Sequence, residues 1–359
     1  MAGKGTMRAC SIKAYGAVDD NVSVVEDWPK PTLRAGKGEM LIRVCAVALA
    51  PGDCRVLSGK TSLVQGPKRF PYIGGGDVSG VVVQVDEGEK DFAVGDQVFS
   101  LFDGKPMGRL AEFALVKTKL SCKKPANISL LEASTLGSSA FAALRAAEKG
   151  VRKGDRVLIL GATGGVGPFL VQLAKLKGAS FVAASGLNTE LLSSLPADRV
   201  IDYSKENWWE IEEIKDGKFD MVFDLAGGRT SWREAKKAKA VKSGWNGGRY
   251  YATVWDNPYM VIQHWYQVFN FPTPILLRFW YAKLNWAIPT YRYLLVPGSD
   301  NPRPVYERLN KIIEAGDLRV VLSPGAPFPF TTEGVREAYN LQKSRHPNGK
   351  VVIKVADDL

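Results

Sequence analysis

The sequence is poor in the residues that build metal centres and disulfide frameworks. Only four cysteines and two histidines occur in 359 residues, and the cysteines, at positions 10, 45, 54 and 122, form no C-x-x-C pair. His264 and His346 lie far from them in the chain. This spacing argues against a structural zinc site and a disulfide-stapled fold. Without a histidine near a nucleophile motif, hydrolase chemistry is not expected either.

A secretory leader and a concentrated basic domain are also missing. The first residues, MAGKGTMRAC, contain no apolar run of signal-peptide length, so an intracellular location, cytoplasmic or organellar, is expected. The net charge of +11 is spread along the chain, and RTSWREAKKAKAVK is the local exception, read as the solvated face of a surface helix. Nucleic-acid readers concentrate Lys and Arg on one element, so no nucleic-acid partner is expected.

What the sequence does contain is the pattern of a two-domain α/β protein. Its length exceeds that of one ordinary core, and 45% hydrophobic with 24% charged residues is typical of a packed protein. Residues 7–128 read as short strands between Gly and Pro turns. From residue 129 strands alternate with helices, which predicts a doubly wound parallel sheet over about 129–298. Strand signals in LRVVLS and KVVIKV suggest that the tail returns to the first domain.

The strongest local motif is the turn Gly161-Ala162-Thr163-Gly164-Gly165-Val166-Gly167. It follows the apolar strand RVLIL and opens the periodic helix VGPFLVQLAKLKG. Glycines let backbone N–H groups approach a diphosphate at the helix N-terminus, where the helix dipole favours negative charge. The motif therefore predicts a dinucleotide site at Thr163, Gly164, Gly165, Val166 and Gly167.

The end of the second strand of this unit indicates which dinucleotide binds. An Asp or Glu there would hold the ribose 2′-hydroxyl of NAD. VAASGLNTE instead offers the neutral Ser185, Asn188 and Thr189, which would not repel a 2′-phosphate. The expected cofactor is NADPH.

Several motifs together resemble the zinc-independent quinone oxidoreductases of the medium-chain dehydrogenase/reductase superfamily, the zeta-crystallin-like branch. They are VALAPGDCRVLSG, PYIGGGDVSGVVVQV, FAVGDQVF, LAEFALV, KGDRVLILGATGGVGPFLVQLAK, ADRVIDY, FDMVFDLAGG and NGKVVIKV, and they cover nearly the whole chain. The resemblance implies a GroES-like, mostly β catalytic domain of residues 1–128 and 299–359. It implies a Rossmann NADPH-binding domain of residues 129–298.

The resemblance also implies roles for single residues. Tyr203 matches a tyrosine beside the adenosine phosphate, with an ordinary strand aromatic as the alternative. Backbone near the nicotinamide is matched by Ala226, Gly227 and Thr253. Lys350 matches a basic residue near the cofactor, with a solvated turn lysine as the alternative. The register leaves either Ser139 or Ala142 at the position of a family threonine.

The sequence departs from the family pattern in the expected substrate cleft. Ala50 stands where the family commonly has Asn, so a polar contact to the nicotinamide and substrate site is lost. Asp53 is expected to anchor the loop. Tyr72 is a candidate proton donor, with packing as the alternative, besides water and the ribose hydroxyl. Gly75-Gly76-Asp77 replaces the His-Glu pair of the zinc-dependent relatives, so no metal site is expected, and Cys45 and Cys54 read as buried thiols.

The least family-like feature is an aromatic-rich insertion near 255–295. Fourteen of the 36 aromatic residues fall between positions 250 and 293. Within PILLRFWYAKLNWAIP, Leu277, Trp280, Tyr281, Leu284 and Ile288 recur at helical spacing, which predicts an amphipathic helix. Pro and polar residues argue against a membrane-spanning helix. A lid or dimer contact, core packing and peripheral membrane attachment are the alternatives for this segment.

These observations predict an NADPH-dependent, zinc-free oxidoreductase that transfers hydride to a quinone or an α,β-unsaturated carbonyl. A homodimer is expected. One alternative is an enal or enoyl-thioester reductase of the same fold. The other is a non-catalytic NADPH-binding protein associated with a membrane, which Ala50 and the aromatic segment motivate.

Overall fold

The chain folds into two compact units. The computed structural model describes residues 5–102, 108–253, 261–270, 272–294 and 301–357. One unit consists of Met1–Phe141 with Pro297–Leu359, and the other of Ala142–Val296; we call them the β-rich unit and the α/β unit. The domain boundaries drawn from the sequence stay a prediction, because compactness does not establish that a segment folds by itself. Residues 254–260, 271 and 295–300 of the aromatic region and its flank lie outside the described residues.

The first segment of the β-rich unit is built from short strands with apolar, β-branched sequences. Its strands are β1 (Thr6–Ile12), β2 (Val22–Pro29), β3 (Glu39–Ala48), β4 (Tyr72–Ile73), β5 (Asp77–Val85), β6 (Gln97–Ser100), β7 (Phe113–Lys117) and β8 (Ser121–Lys123). Its helices are α1 (Val18–Asn21), α2 (Pro51–Leu57), α3 (Ser62–Gln65) and α4 (Leu130–Ala133). A π-helical turn, Leu136–Ala140, leads into α5 (Phe141–Gly150).

The α/β unit alternates strands and helices as the sequence predicts. Its strands are β9 (Arg156–Leu160), β10 (Phe181–Ser185), β11 (Arg199–Ile201), β12 (Met221–Asp224), β13 (Arg249–Ala252) and β14 (Thr290–Tyr293). Its helices after α5 are α6 (Gly167–Leu176), α7 (Thr189–Ser193), α8 (Gly228–Lys237) and α9 (Pro272–Leu284). The strands pair in parallel in the order β11-β10-β9-β12-β13-β14. This is the doubly wound Rossmann order, and the predicted fold class is confirmed.

The C-terminal tail completes the β-rich unit. It contains α10 (Arg303–Glu314), β15 (Phe328–Pro329), α11 (Thr332–Ser344) and β16 (Val352–Lys354). One sheet has the order β15-β16-β3-β5-β6-β8, with β7 also paired to β3, and a smaller sheet has the order β2-β1-β4. The tail strand expected in LRVVLS is wrong, because this segment contributes only an isolated bridge between Leu322 and Lys350.

Helix α9 differs from the expectation in length and in orientation. It ends at Leu284, so Ile288 lies beyond the helix. Ile275, Phe279 and Ala282 face the core of the α/β unit, whereas Leu277 and Leu284 are exposed. Of the predicted apolar face, Leu277, Trp280, Tyr281 and Leu284 are exposed, so core packing does not account for these four, whereas Ile288 packs against the core. No helix among the described ranges combines the length and apolar character that crossing a bilayer takes.

Tyr306 of α10 joins the tail to the first segment of the β-rich unit. Its ring is fully buried, with centroids 4.8 Å from Phe99 and 5.5 Å from Phe141. Its hydroxyl donates a hydrogen bond of 2.8 Å to the carbonyl oxygen of Gly137. A ring and a hydroxyl from one side chain thus hold together segments that are far apart in sequence.

Replacing Tyr306 is expected to destabilise the protein in two separable steps. Tyr306→Phe leaves the Gly137 carbonyl without its donor and costs about 1–2 kcal/mol. Tyr306→Ala also empties the ring site and costs about 3–5 kcal/mol. Urea unfolding followed by tryptophan fluorescence measures both. Equal losses for the two variants would contradict the assignment of separate contributions to ring and hydroxyl.

Candidate functional site

The predicted cofactor residues of the α/β unit lie at one edge of the parallel sheet, whereas Ser139 and Lys350 belong to the β-rich unit. Parallel strands present their carboxyl ends at the same edge, and ligands of such sheets bind where the strand order reverses. Here the reversal lies between β9 and β12, which are neighbours in the sheet. The turns after Leu160 and Asp224 therefore flank the expected crevice.

Two glycines of the first turn are required by close packing. Gly161 has a φ of +75°, and a Cβ at this position would lie 2.8 Å from the Cβ of Ala226. A Cβ at Gly167 would lie 2.3 Å from the carbonyl oxygen of Ala162. At Gly164, in contrast, a Cβ would meet only the Gly161 oxygen, at 3.5 Å. The turn thus has a packed side and an open side, and Gly164 faces the open side.

The open side carries backbone donors. Val166 is the N-cap of α6, and no side chain caps this helix. Within the described residues, the N–H groups of Gly165, Val166 and Gly167 find no acceptor. Unpaired N–H groups at a helix N-terminus, where the dipole is positive, form an anion site. The residues present therefore fit a dinucleotide diphosphate.

The end of β10 packs against this turn. Ser185 is buried, and its carbonyl oxygen accepts a hydrogen bond of 2.8 Å from the N–H of Ala162. A Cβ at Gly186 would lie 2.5 Å from the Thr163 methyl carbon. Thr163 is half-buried, so its side chain partly serves this packing. The expected pair of donors, Ser185 and Asn188, is consequently held beside the glycine turn.

Asn188 also caps a helix, a role that the sequence analysis did not predict. Its Oδ1 accepts a hydrogen bond of 2.9 Å from the Leu191 N–H and caps α7. The Nδ2 amide makes no hydrogen bond in the described part of the chain, so it remains a donor for a ligand. Glu190 is exposed on α7 itself.

Asp224 organises the opposite turn and was missed by the sequence reading. The carboxylate is fully buried at the end of β12. Its Oδ1 accepts hydrogen bonds from the N–H groups of Ala226 (3.1 Å) and Gly227 (2.6 Å), and its Oδ2 accepts one from the Tyr250 hydroxyl (2.7 Å). Burial raises the pKa of Asp224, while these donors act against the shift. The sequence signal that could have identified Asp224 is an Asp at the end of an apolar strand, followed by Leu-Ala-Gly-Gly.

The other predicted residues at this edge are brought together by the strand ends. Ala226 and Gly227 are exposed in the turn that Asp224 holds. The Thr253 N–H donates a hydrogen bond of 3.0 Å to the carbonyl oxygen of Asp224. Tyr203 is half-exposed and follows the end of β11, so its alternative reading as a strand aromatic is wrong. Ala226 and Gly227 are thus exposed, and Thr253 is half-buried, at the carboxyl ends of neighbouring strands; their place beside the nicotinamide stays a prediction.

In the β-rich unit, Lys350 and Asp77 form a buried polar pair. Both residues are 3% exposed, and the Lys350 Nζ lies 3.9 Å from the Asp77 Oδ2. Burial lowers the pKa of Lys350, and the Asp77 charge acts against this shift. The alternative reading of Lys350 as a solvated turn lysine is therefore wrong. The Asp53 charge acts on the pKa of Lys350 in the same direction as Asp77, so the buried lysine has two carboxylates in its surroundings.

Ser138, and not Ser139, completes this pair. The Ser138 N–H donates a hydrogen bond of 3.0 Å to the Asp77 Oδ2, and its hydroxyl donates to the same oxygen. Both groups come from the π-helical turn that precedes α5. Ser139 is buried in the same turn and Ala142 is half-buried in α5. The choice between these two for the family threonine stays a prediction.

Ala50 and Asp53 form the entry to α2. Ala50 is the N-cap, and its methyl group offers no acceptor to the free N–H groups of the helix. The Asp53 carboxylate instead binds the backbone of the N-cap residue: its Oδ2 accepts a hydrogen bond of 2.7 Å from the Ala50 N–H. Burial raises the pKa of Asp53 to about 6, and the nearby Asp77 adds to the shift. Asp53 thus fixes the loop through the backbone of Ala50.

Tyr72 and the cysteines have mainly packing surroundings. Tyr72 is 8% exposed, its ring centroid lies 5.6 Å from that of Phe70, and burial raises the pKa of its phenol. Cys45 is buried, and the Cys54 Sγ lies 3.6 Å from the carbonyl oxygen of Tyr339. In the part of the chain that the structure describes, no three His, Cys, Asp or Glu side chains are grouped as metal ligands.

A surface cavity of about 650 Å³ lies elsewhere in the β-rich unit. Its lining includes Asp19, Phe328, Glu333, Arg336 and Glu337. None of the predicted site residues lines this cavity, so we assign it no role in binding the cofactor or the substrate.

Comparisons with known proteins match both segments of the chain. Residues 36–126 match the family described as alcohol dehydrogenase GroES-like domain, and residues 195–353 match the family described as zinc-binding dehydrogenase. The described residues do not provide the ligand cluster that the second description implies.

The relatives are oxidoreductases. The chain is 33% identical over 361 residues to the NADPH-dependent alkenal/one oxidoreductase, chloroplastic, of Arabidopsis thaliana, covering 97% of this chain and 79% of that protein. It is 34% identical over 236 residues to the chloroplast envelope quinone oxidoreductase homolog of the same plant, covering 64% and 70%. The Escherichia coli quinone oxidoreductase complexed with NADPH shares the fold, with a TM-score of 0.74, 18% identity and coverage of 97% and 99%. The chain therefore belongs to the medium-chain dehydrogenase/reductase superfamily, with alkenal/one and quinone oxidoreductases among its relatives.

Proposed function

We propose that the protein is an NADPH-dependent oxidoreductase that transfers hydride to a quinone or an α,β-unsaturated carbonyl. The observation that carries the proposal is the turn 161–167, with its open side at Gly164 and three unpaired N–H groups. It lies at the reversal of the strand order, where dinucleotides bind in this fold. The alkenal/one and quinone oxidoreductases among the relatives support the substrate class.

The α/β unit would bind and orient the cofactor. Gly165, Val166 and Gly167 would hold the diphosphate through their N–H groups. The Asn188 amide and Ser185 would meet the 2′-phosphate without a carboxylate to repel it. The turn of Ala226 and Gly227, fixed by the buried Asp224, would place flat backbone beside the nicotinamide. Tyr203 is assigned to the adenosine side by the family resemblance.

When bound, NADPH supplies a hydride from C4 of its nicotinamide. An α,β-unsaturated carbonyl that takes up this hydride at its β-carbon and a proton at its α-carbon becomes a saturated carbonyl, and a quinone becomes a hydroquinone. Burial makes Tyr72 a weak acid, which favours its packing role. We therefore propose water or the ribose hydroxyl as the proton source. Ala50 and Asp53 shape the loop of the expected substrate cleft, with Asp53 as its anchor.

We further propose that hydride transfer in this protein is zinc-independent. A homodimer is proposed, for which β14 offers an open edge of the parallel sheet. An intracellular, cytoplasmic or organellar, location is proposed, and the chloroplastic names of two relatives support an organelle. Peripheral membrane contact is proposed because a helix face rich in Leu and Trp is exposed.

Gly164→Val tests the cofactor assignment. The fold has room for a side chain there, so the variant is expected to fold, while the side chain blocks the diphosphate. We expect NADPH binding, measured by nicotinamide fluorescence, to weaken at least about a hundredfold, or about 2.8 kcal/mol. Ala238→Val, which adds similar bulk at an exposed helix end of the same unit, is the control.

The same titration is followed by an acceptor screen with quinones, enals and enoyl thioesters in the presence of a chelator. Turnover that survives the chelator supports the zinc-free proposal. Faster turnover of enals or enoyl thioesters than of quinones would favour the alternative reductase. Unchanged NADPH binding by Gly164→Val would contradict the cofactor site.

Asn188→Asp tests the preference for NADPH. The new carboxylate can still cap α7 at the Leu191 N–H, so the fold is preserved while a negative charge is added. We expect the Kd for NADPH to rise about tenfold, because the charge repels the 2′-phosphate, and the Kd for NADH to stay constant. The neutral Asn188→Ser variant keeps the cap but loses the amide donor, so its Kd for NADPH should rise less than that of Asn188→Asp, and its Kd for NADH should stay constant. A parallel change for both cofactors would place Asn188 away from the 2′-phosphate.

Ala50→Asn tests the role of the family amide. Both Ala50→Asn and Ala50→Ser restore an N-cap to α2 and should stabilise the protein by about 0.5–2 kcal/mol, measured by urea unfolding. Only Asn places an amide in the expected cleft, so only Asn should raise kcat, by about tenfold. Equal turnover of Ala50→Asn and Ala50→Ser would mean that the effect comes from ordering the loop and not from the amide. NADPH binding without turnover by wild type and Ala50→Asn alike would favour the non-catalytic alternative.

A further inference from the structure

Helix α9 has apolar residues on both sides. Ile275, Phe279 and Ala282 face the core of the α/β unit. On the other side, Leu276, Leu277, Trp280, Tyr281 and Leu284 are each between 51% and 79% exposed. Spacings of four and eight residues place these five side chains along one stripe. A helix that buries one apolar face normally presents polar residues on the other, so the exposed apolar stripe is expected to have a binding partner.

More exposed apolar side chains lie in the segments that contact α9. The turn before the helix exposes Trp265, Tyr266 and Phe269. Trp245 and Trp286 are exposed and form a pair with ring centroids 5.3 Å apart. Among the described residues, eleven of the twenty exposed large hydrophobic side chains lie between positions 245 and 286. We call these exposed side chains together the apolar patch; it consists of Trp245, Trp265, Tyr266, Phe269, Leu276, Leu277, Trp280, Tyr281, Leu284 and Trp286.

Basic residues border the apolar patch. The Lys236 Nζ of α8 lies 5.4 Å from the Tyr281 ring centroid, and the Lys283 Nζ lies 4.9 Å from that of Trp280. The Lys236 contact brings α8 to the outer face of α9, and α8 also carries the exposed Arg229, Arg233 and Lys237. Glu234 is the only acidic residue among the described positions from 225 to 294, and it pairs with Arg233. The border is therefore strongly positive.

The charge of the border decides which partner fits. A second copy docked patch to patch would bring two sets of lysines and arginines together, and like charges oppose such an interface. Anionic lipid headgroups instead attract each Lys and Arg, while Trp and Tyr side chains favour the depth of the headgroups. Leu side chains of an interfacial helix enter the acyl boundary. This distribution of charged, aromatic and aliphatic residues matches a lipid surface.

We propose that the apolar patch binds the surface of an anionic bilayer, with α9 lying in the headgroup region and α8 contacting the phosphates. The inference rests on the proposed peripheral membrane contact and names its surface and its lipid chemistry. It does not depend on the redox assignment. If that assignment also holds, the bilayer is a reservoir for lipophilic quinones.

Vesicle flotation of the full chain tests the proposal. The probes are vesicles of phosphatidylcholine alone and of an equal mixture of phosphatidylcholine and phosphatidylserine. We expect binding to the mixed vesicles, little binding to phosphatidylcholine, and a loss of binding as salt is raised. Absence of binding to the mixed vesicles at low salt would overturn the proposal.

Two double variants with matched controls locate the surface. Leu277→Gln with Leu284→Gln removes apolar contact from the outer stripe, and Leu63→Gln with Val64→Gln makes a similar change at exposed residues of the β-rich unit. Lys237→Gln with Lys283→Gln removes border charge, and Lys13→Gln with Lys90→Gln removes the same charge elsewhere. We expect each patch variant to weaken vesicle binding about tenfold or more and each control to bind as wild type.

Other readouts separate the alternatives. Thermal melting confirms that each variant is folded, and turnover of a water-soluble quinone without vesicles should match wild type in all four. Vesicle binding that survives the leucine variant would overturn the proposal. So would a dimer that dissociates in the leucine variant, seen by sedimentation, if wild type binds no vesicles. If the patch variants lose vesicle binding but the protein transfers hydride to no acceptor, the membrane proposal is supported and the redox assignment is wrong.

Discussion

The approach of two turns at the edge of the parallel sheet is the constraint on which the candidate site depends. Gly161 lies so close to Ala226 that a side chain has no room, and Asp224 draws the second turn together through two N–H groups. The carboxylate is buried, so its hydrogen bonds offset a desolvation cost and hold a single arrangement. One turn is left with free donors and the other with exposed backbone, which suits a phosphate at one end of a ligand and a flat ring at the other.

The β-rich unit uses buried polar groups to hold its own loops. Asp77 binds Ser138 through main chain and side chain, and Lys350 lies beside the same carboxylate. Asp53 likewise fixes the loop at the start of α2, where the Ala50 side chain provides no cap. Buried charges are costly unless they are paired, so these groups fix the loops more tightly than apolar packing alone would. At the N-cap of α2, the methyl group of Ala50 supplies no polar contact.

Much of the fold and part of the site could be predicted from residues alone. The alternation of apolar strands with a periodic helix predicted the doubly wound parallel sheet, and the glycine turn predicted where an anion could approach the backbone. Lys350 could be named but not placed, since its burial depends on β5 and the π-helical turn, which are remote in sequence. Asp224 and Ser138 were missed because their partners, Tyr250 and Asp77, become neighbours only after folding.

Local chemistry explains what the sequence by itself determined: strand and helix types, the open glycine turn, the missing carboxylate after β10 and the basic and aromatic composition of the segment around α9. These properties follow from residue types at short spacing, which fix backbone freedom, periodicity and charge. The tertiary structure alone decided which side of each element is covered. Helix α9 shows the reason, since either of its two apolar faces could have met the core, and packing on β14 selected the face of Phe279 and Ala282 and left Leu277 and Leu284 outside.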